Sequence, residues 1–354
     1  MKKYSSPHYS TLVSMLQAWP HFHSFRSDSI SLWDEIYNNS PFQKMDYHSL
    51  TIDYQKIYNE AKSSTIFDLS FILKDLGKPV AIWQLAVTND NGIYHLSTFG
   101  TPLQIPLVKT MSDKSIGRLA SEWIKLLKEI CQLLQIDNLT LLANFRGEEN
   151  PFINQWIWSL LKNGGTVDLC YDLYVDLKLE LETIKSYFRS SYKPLITKGL
   201  KIWRSELLTF YDSATWSEFR NLHISVAGRE TRSVKTWDIQ ADSLKNGDGF
   251  LVLLRNGDSR LVGAGFFRHS KHEGSYDTAA YDRSLFDMPL GHVVQWLAIE
   301  EFKRRGVCWY YIGEYLNHKT AYQYSEKEKN ISLFKSGFAT NLIPKYKLNL
   351  ALNR

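Results

Sequence analysis

Cysteine is scarce in this chain: Cys131, Cys170 and Cys308 stand far apart, with no CxxC pair. That spacing argues against a disulfide framework and a cysteine zinc site, and each thiol lies in an apolar run where buried, inert sulfur is expected. No metal is expected. Long apolar runs are missing too, since no stretch reaches the roughly 18 uncharged apolar residues of a membrane span. The opening Met1-Lys2-Lys3-Tyr4-Ser5-Ser6-Pro7 leads into no apolar signal core, so a cytoplasmic protein without a membrane span is expected. P-loop, GxGxxG, HExxH and GxSxG patterns are all absent, which removes support for nucleotide hydrolysis, zinc proteolysis and serine-hydrolase chemistry. Charge is nearly balanced, 42 basic against 37 acidic residues for a net +5. Such an excess favours anionic ligands without demanding a nucleic-acid partner.

Apolar and aromatic residues are plentiful, with 11 Trp and 20 Tyr in 354 residues, enough for packed cores and aromatic-walled clefts. A prior of about 150 residues per domain predicts two domains. Residues 65–74 read as a strand, Gly77 as a turn, and residues 79–87 as a second strand, a hairpin. A strand through Tyr94 and Leu96 follows, then a loop punctuated by Pro102 and Pro106. Ile116, Leu119, Ala120, Trp123, Leu127, Ile130, Cys131 and Leu134 recur at spacings of three and four, the stripe of a long amphipathic helix. Residues 138–143 read as a buried strand.

The second half repeats this order. Residues 250–254 and 261–268 are strands joined through Asn256-Gly257, a hairpin signal. Residues 276–281 form the next strand, 287–290 a Pro-containing loop, 291–305 a helix stopped by Lys303, Arg304, Arg305 and Gly306, and 307–312 a strand. Gly77 matches Gly257, Gly92 and Tyr94 match Gly274 and Tyr276, and Pro106 matches Pro289. This orderly match predicts duplication of one mixed α/β domain: a first domain over 1–180, a basic helical connector over 181–205 broken around Pro194 and Gly199, and a second domain over 206–354.

Hairpin, strand, loop, helix, strand is the order of a GNAT domain, and two in tandem resemble the FemAB-type acyltransferases. Particular phrases carry the resemblance: Tyr187-Phe188-Arg189 with Lys198-Gly199-Leu200-Lys201 before the second domain, Tyr281-Asp282-Arg283 with Leu290-Gly291-His292-Val293-Val294-Gln295, and Ser332-Leu333-Phe334-Lys335-Ser336-Gly337-Phe338. The last is similar to the family's C-terminal Phe-Lys-x-x-Phe signature. The resemblance implies a cytoplasmic acyl- or aminoacyl-transferase acting on an amino or hydroxyl group of a cell-envelope or surface-polysaccharide precursor. The second domain is expected to hold the reacting groups, because its strand ends carry Asp282, Arg283 and Glu314 where the first has Gly100, Thr101 and Asn144-Phe145. No tightly bound cofactor is implied; acyl-CoA or aminoacyl-tRNA would be a co-substrate. The GNAT pyrophosphate loop has only weak counterparts, Lys114-Ser115-Ile116-Gly117-Arg118-Leu119 and Met288-Pro289-Leu290-Gly291-His292-Val293, so acyl-CoA use lacks support and tRNA stays open.

Acyl transfer needs a proton acceptor, an oxyanion stabiliser and a place for the donor's phosphates. His292 at a helix start, Asp282 at a strand end and Glu314 at another are the candidate catalytic groups. Each has a plain alternative: a packed or capping imidazole, a surface ion pair of Asp282 with Arg283, and a turn carboxylate. Lys335 is the expected donor contact or else a lysine snorkelling from an amphipathic segment. Tyr281, Arg283 and Gln295 join it as substrate- or donor-binding candidates. Arg229 and Arg232 form a second constellation suited to phosphate or carboxylate, or a solvated loop. Lys185, Arg189, Lys193, Lys198, Lys201 and Arg204 interleave with Tyr187, Phe188, Tyr192 and Trp203, a pattern that tracks a nucleic-acid backbone or faces water on a connecting helix. A non-catalytic scaffold and a nucleic-acid-binding module are the competing functions.

Overall fold

The computed structural model describes residues 7–61, 65–109, 111–144, 153–316 and 324–352. The chain divides into two units, Met1–Cys170 with Pro344–Arg354, and Tyr171–Ile343. Both are mixed α/β, as expected.

In the first unit the hairpin about Gly77 forms, with Asp75 opposite Lys78, but each of its expected strands is cut in two. Ala86–Asp90 pairs with Thr65–Asp68 on one side and Ile93–Ser97 on the other, while Phe71–Asp75 and Lys78–Trp83 belong to another sheet. The cut is chemical: Asp68 Oδ1 accepts from Ser70 N, and Ser70 Oγ accepts from Leu85 N. These side-chain bonds replace ladder bonds and let both strands bend together. The expected amphipathic helix spans Asp113–Leu133, capped by Ser112, and a T-shaped series of Trp83, Trp123 and Trp156 anchors it. Helices Pro7–Ala18, Ile30–Asn38 and Ser49–Glu60 precede this block, and no expectation covered them.

The second unit orders its strands Arg204–Leu208, Gly249–Arg255, Leu261–His269, Glu273–Tyr281, Trp309–Tyr315 and the 171–176 part of Thr166–Asp176. All pair antiparallel except Glu273–Tyr281 with Trp309–Tyr315, which are parallel and are joined through the helix Leu290–Arg304, as a parallel connection requires. Gly249–Arg255 is buried on both faces, and its alternation separates two cores. Phe250, Val252 and Leu254 pack with Val293, Val294 and Phe302, while Leu251 and Leu253 pack with Trp216, Phe219 and Trp237 of the helices Ser213–Ala227 and Val234–Lys245.

The expected boundaries at 180 and 205 need correction. The would-be connector is part of the second unit because Ile184, Phe188, Tyr192 and Ile196, each four apart, are buried in its core. It breaks between Leu181–Tyr187 and Tyr192–Ile202, not at Pro194 or Gly199. Pro194 lies in a first turn, where its missing N–H costs nothing, and Gly199 sits mid-helix where a Cβ would meet Val293 and Pro289. Of the aromatics expected to stack on bases, Phe188, Tyr192 and Trp203 are buried and Tyr187 alone is exposed.

Candidate functional site

The parallel pairing in the second unit is brief. Ser275 opposite Tyr311 is its last pair. Beyond it Glu273–Tyr281 follows its antiparallel neighbour as far as Tyr281 opposite Gly263, and Trp309–Tyr315 follows the other as far as Tyr315 opposite Tyr171. The strands therefore part at their carboxyl ends and leave a notch, where ligands of open α/β sheets tend to lie.

Phenols line this place. Tyr276 and Tyr281 share a hydrogen bond between hydroxyls at 2.9 Å, and Tyr310 donates to Gln295 Oε1 at 2.6 Å. Gln295 is fully buried, and its side chain reaches Tyr276 as well as Tyr310. Burial pushes Tyr276 up to about 12 and holds Tyr281 and Tyr310 well above the ordinary phenol value. They remain neutral near pH 7 and serve as donors, not as bases.

Lys335 comes from the helix Glu326–Ser336, which Ser325 and Glu328 fix with a reciprocal capping box. Phe334 and Phe338 pack at 5.3 Å, and both contact the rings of Tyr192 and His292. The expected Phe-Lys-x-x-Phe phrase thus anchors the helix by its aromatics. The ammonium lies 5.6 Å from the Tyr276 ring centre and against Gly313, where a Cβ would stand 2.8 Å from Nζ. Among the described residues no carboxylate pairs with it, and burial lowers its pKa to about 8. The side chain is half-buried, with its amine turned toward Tyr276 and Gly313.

The other expected residues separate. His292 is half-buried, edge-on to Tyr192 at 4.5 Å and to Phe334 at 5.2 Å. Burial, then the Arg189 charge, lowers it to about 4, a weak proton acceptor at neutral pH. Asp282 accepts from Ser284 N and Oγ and pairs with Arg260 at 2.7 Å. The Ser284 and Arg260 bonds hold its carboxyl below the usual range, so it caps a turn, and Arg260 takes the place expected of Arg283, which is exposed. Glu314 stands opposite Asp172, and its carbonyl accepts from Ser332 Oγ, tying that strand to the Lys335 helix. Arg229 and Arg232 lie in the turn between Ser213–Ala227 and Val234–Lys245. Tyr281, Gln295 and Lys335 are brought to the notch. Tyr276 and Gly313 join them unforeseen, and the Gly that follows Tyr310-Tyr311-Ile312 was the available signal for the second.

No protein-family model matches the chain, and no curated protein matches it either. Solved structures do. The crystal structure of FemX matches with a TM-score of 0.62 at 10% identity, over 90% of this chain and 95% of that one. The fold is shared with FemX. The structure of L-PGS from Bacillus licheniformis matches with a TM-score of 0.57 at 11% identity over 92% of both chains. The C-terminal domain of a putative lysylphosphatidylglycerol synthetase from Agrobacterium fabrum gives 0.58 at 10% identity over 93% of both. At such identities the likeness is one of fold, two α/β domains in tandem.

Proposed function

We propose that the second unit transfers an acyl or aminoacyl group from an activated donor to an amine of a cell-envelope precursor. The observation that carries this reading is the Lys335 amine, half-buried and with no carboxylate partner among the described residues, where the two parallel strands part, beside neutral phenols. An ester or thioester carbonyl seated there would be attacked by the acceptor nitrogen: the C–N bond forms, the C–O or C–S bond breaks, and the amine proton leaves. Lys335 and the phenols would face the oxygen on which negative charge develops, or the donor's phosphates. Glu314, on the strand forming one wall, is the carboxylate kept as proton acceptor; His292 and Asp282 are engaged in packing and capping. The fold shared with FemX and with synthetases named for lysylphosphatidylglycerol agrees with aminoacyl transfer.

Labelled acyl groups offered as a panel of acyl-CoAs and charged tRNAs, with an amine acceptor, test the reading. Transfer from one donor class, lost in Lys335→Met, is expected. A folded chain that transfers from none would favour the scaffold alternative, to which the weak pyrophosphate-loop counterparts also point.

A further inference from the structure

The arginine constellation lies outside the transfer chemistry, and its geometry has its own logic. Arg220 and His223 stand one turn apart on one face of the helix Ser213–Ala227. Gly228, with φ +71°, ends that helix in the left-handed conformation, and the chain turns back on it. Glu230 Oε1 then accepts from Arg220 Nη2, and Arg232 Nη1 lies 3.3 Å from His223 Nε2.

Burial, then the Arg232 charge, lowers His223 to about 4, so the imidazole is neutral and takes a guanidinium proton at Nε2 with its own proton on Nδ1. It orients Arg232 without neutralising it. Glu230 pairs with Arg220, while Arg232 meets a neutral imidazole and, among the described residues, no carboxylate. Among the described residues three buried polar atoms here have no hydrogen-bond partner: Arg220 Nε, Arg232 Nε and Ser233 Oγ. Ser233 precedes the helix Val234–Lys245 yet does not cap it with its side chain, contrary to the habit of serine there. Buried donors ordinarily find acceptors, and the Arg220 side chain keeps 30% exposure while its Nε is covered.

We propose that Arg220, Arg232 and Ser233 form an oxyanion-binding site, distinct from the Lys335 notch, that takes a phosphate or carboxylate group. Two Nε–H donors and a hydroxyl supply its bonds, His223 sets the angle of one guanidinium and Glu230 that of the other. Calling the bound molecule an acceptor substrate rests on the transferase reading; the site does not.

The test uses the whole chain labelled with 15N at arginine, titrated with inorganic phosphate and separately with acetate, ionic strength being held by chloride. The Nε–H resonances of Arg220 and Arg232 should move and saturate with one anion or both, and the stronger response names the group. Arg232→Gln should weaken the Arg220 response about tenfold or more, the loss of a charge-assisted bond, and Ser233→Ala about two- to tenfold. Ser233→Ala carries the test if Arg232→Gln fails to fold. No saturable movement in either anion, or affinity unchanged in a folded variant, overturns the site. Because binding is the readout, a chain that transfers no acyl group leaves the assignment standing.

Discussion

Replacing Gly313 by Ala should move the Lys335 amine without touching Lys335. The new Cβ would stand 2.8 Å from Nζ and 3.1 Å from Cδ, closer than atoms in ordinary contact, and the lysine stem is the flexible partner that gives way. The backbone adds its own cost, because φ is +151° at this position and side chains there are strained by about 1–3 kcal/mol. At about 2–4 °C per kcal/mol for a domain of this size, the melting temperature should fall by about 2–12 °C. The larger effect is electrostatic. An amine with a pKa of about 8 is roughly one-tenth neutral at pH 7, whereas at the ordinary 10.5 it is neutral roughly 300-fold less often. Displacement toward water restores hydration, so the pKa should rise and reactivity toward an acylating reagent at pH 7 should fall in proportion. Reductive methylation with 13C-formaldehyde followed by pH titration of the Lys335 signal reads this directly. If the variant folds and Lys335 titrates as in the parent chain, the placement of the amine against Gly313 is wrong.

Lys335→Met should stabilise the chain near neutrality. The amine sits at about 8 against 10.5, so the unfolded chain binds more protons between those values and stability rises with pH across that window. Below pH 8 the wild type bears the whole cost, up to about 3 kcal/mol at 1.36 per unit. The gain in the variant should vanish above pH 10.5, measured by urea unfolding at both pH values; an equal gain at both would refute it. His292→Phe should keep transfer within about threefold, since a packing ring replaces a packing ring. A loss of about a hundredfold or more would restore His292 as a base. The same variant should resist acid better. His292 stays neutral down to about 4 against 6.5, so the wild type loses stability as pH falls from 6.5 to 4. Asp282→Asn should cost about 1 kcal/mol through the lost turn and Arg260 contacts and leave transfer intact, as unfolding and a rate assay would report.

The two cores of the second unit are legible in the sequence because burial on both faces writes itself as an unbroken apolar run, and 250–254 has no polar residue. The unit boundary is hidden by charge: six basic residues from Lys185 to Arg204 draw the eye from Ile184, Phe188, Tyr192 and Ile196, which decide where the helices pack. Phe334 lies in the last turn of the helix Glu326–Ser336 and Phe338 just past its end, where their rings meet, while the roughly 100° rotation per residue aims Lys335 away from Phe334. Where it ends is not written locally. Its destination depends on two strands ceasing to pair after Ser275 and Tyr311 and on a glycine that removes the atom its amine would strike. A histidine's role is hidden in the same way, since His292 becomes a weak base only through Tyr192, Phe334 and Arg189 arriving from distant segments. Motif reading can therefore nominate ionisable groups, while the strength of each as acid, base or cation follows from what the fold withholds from it, water above all.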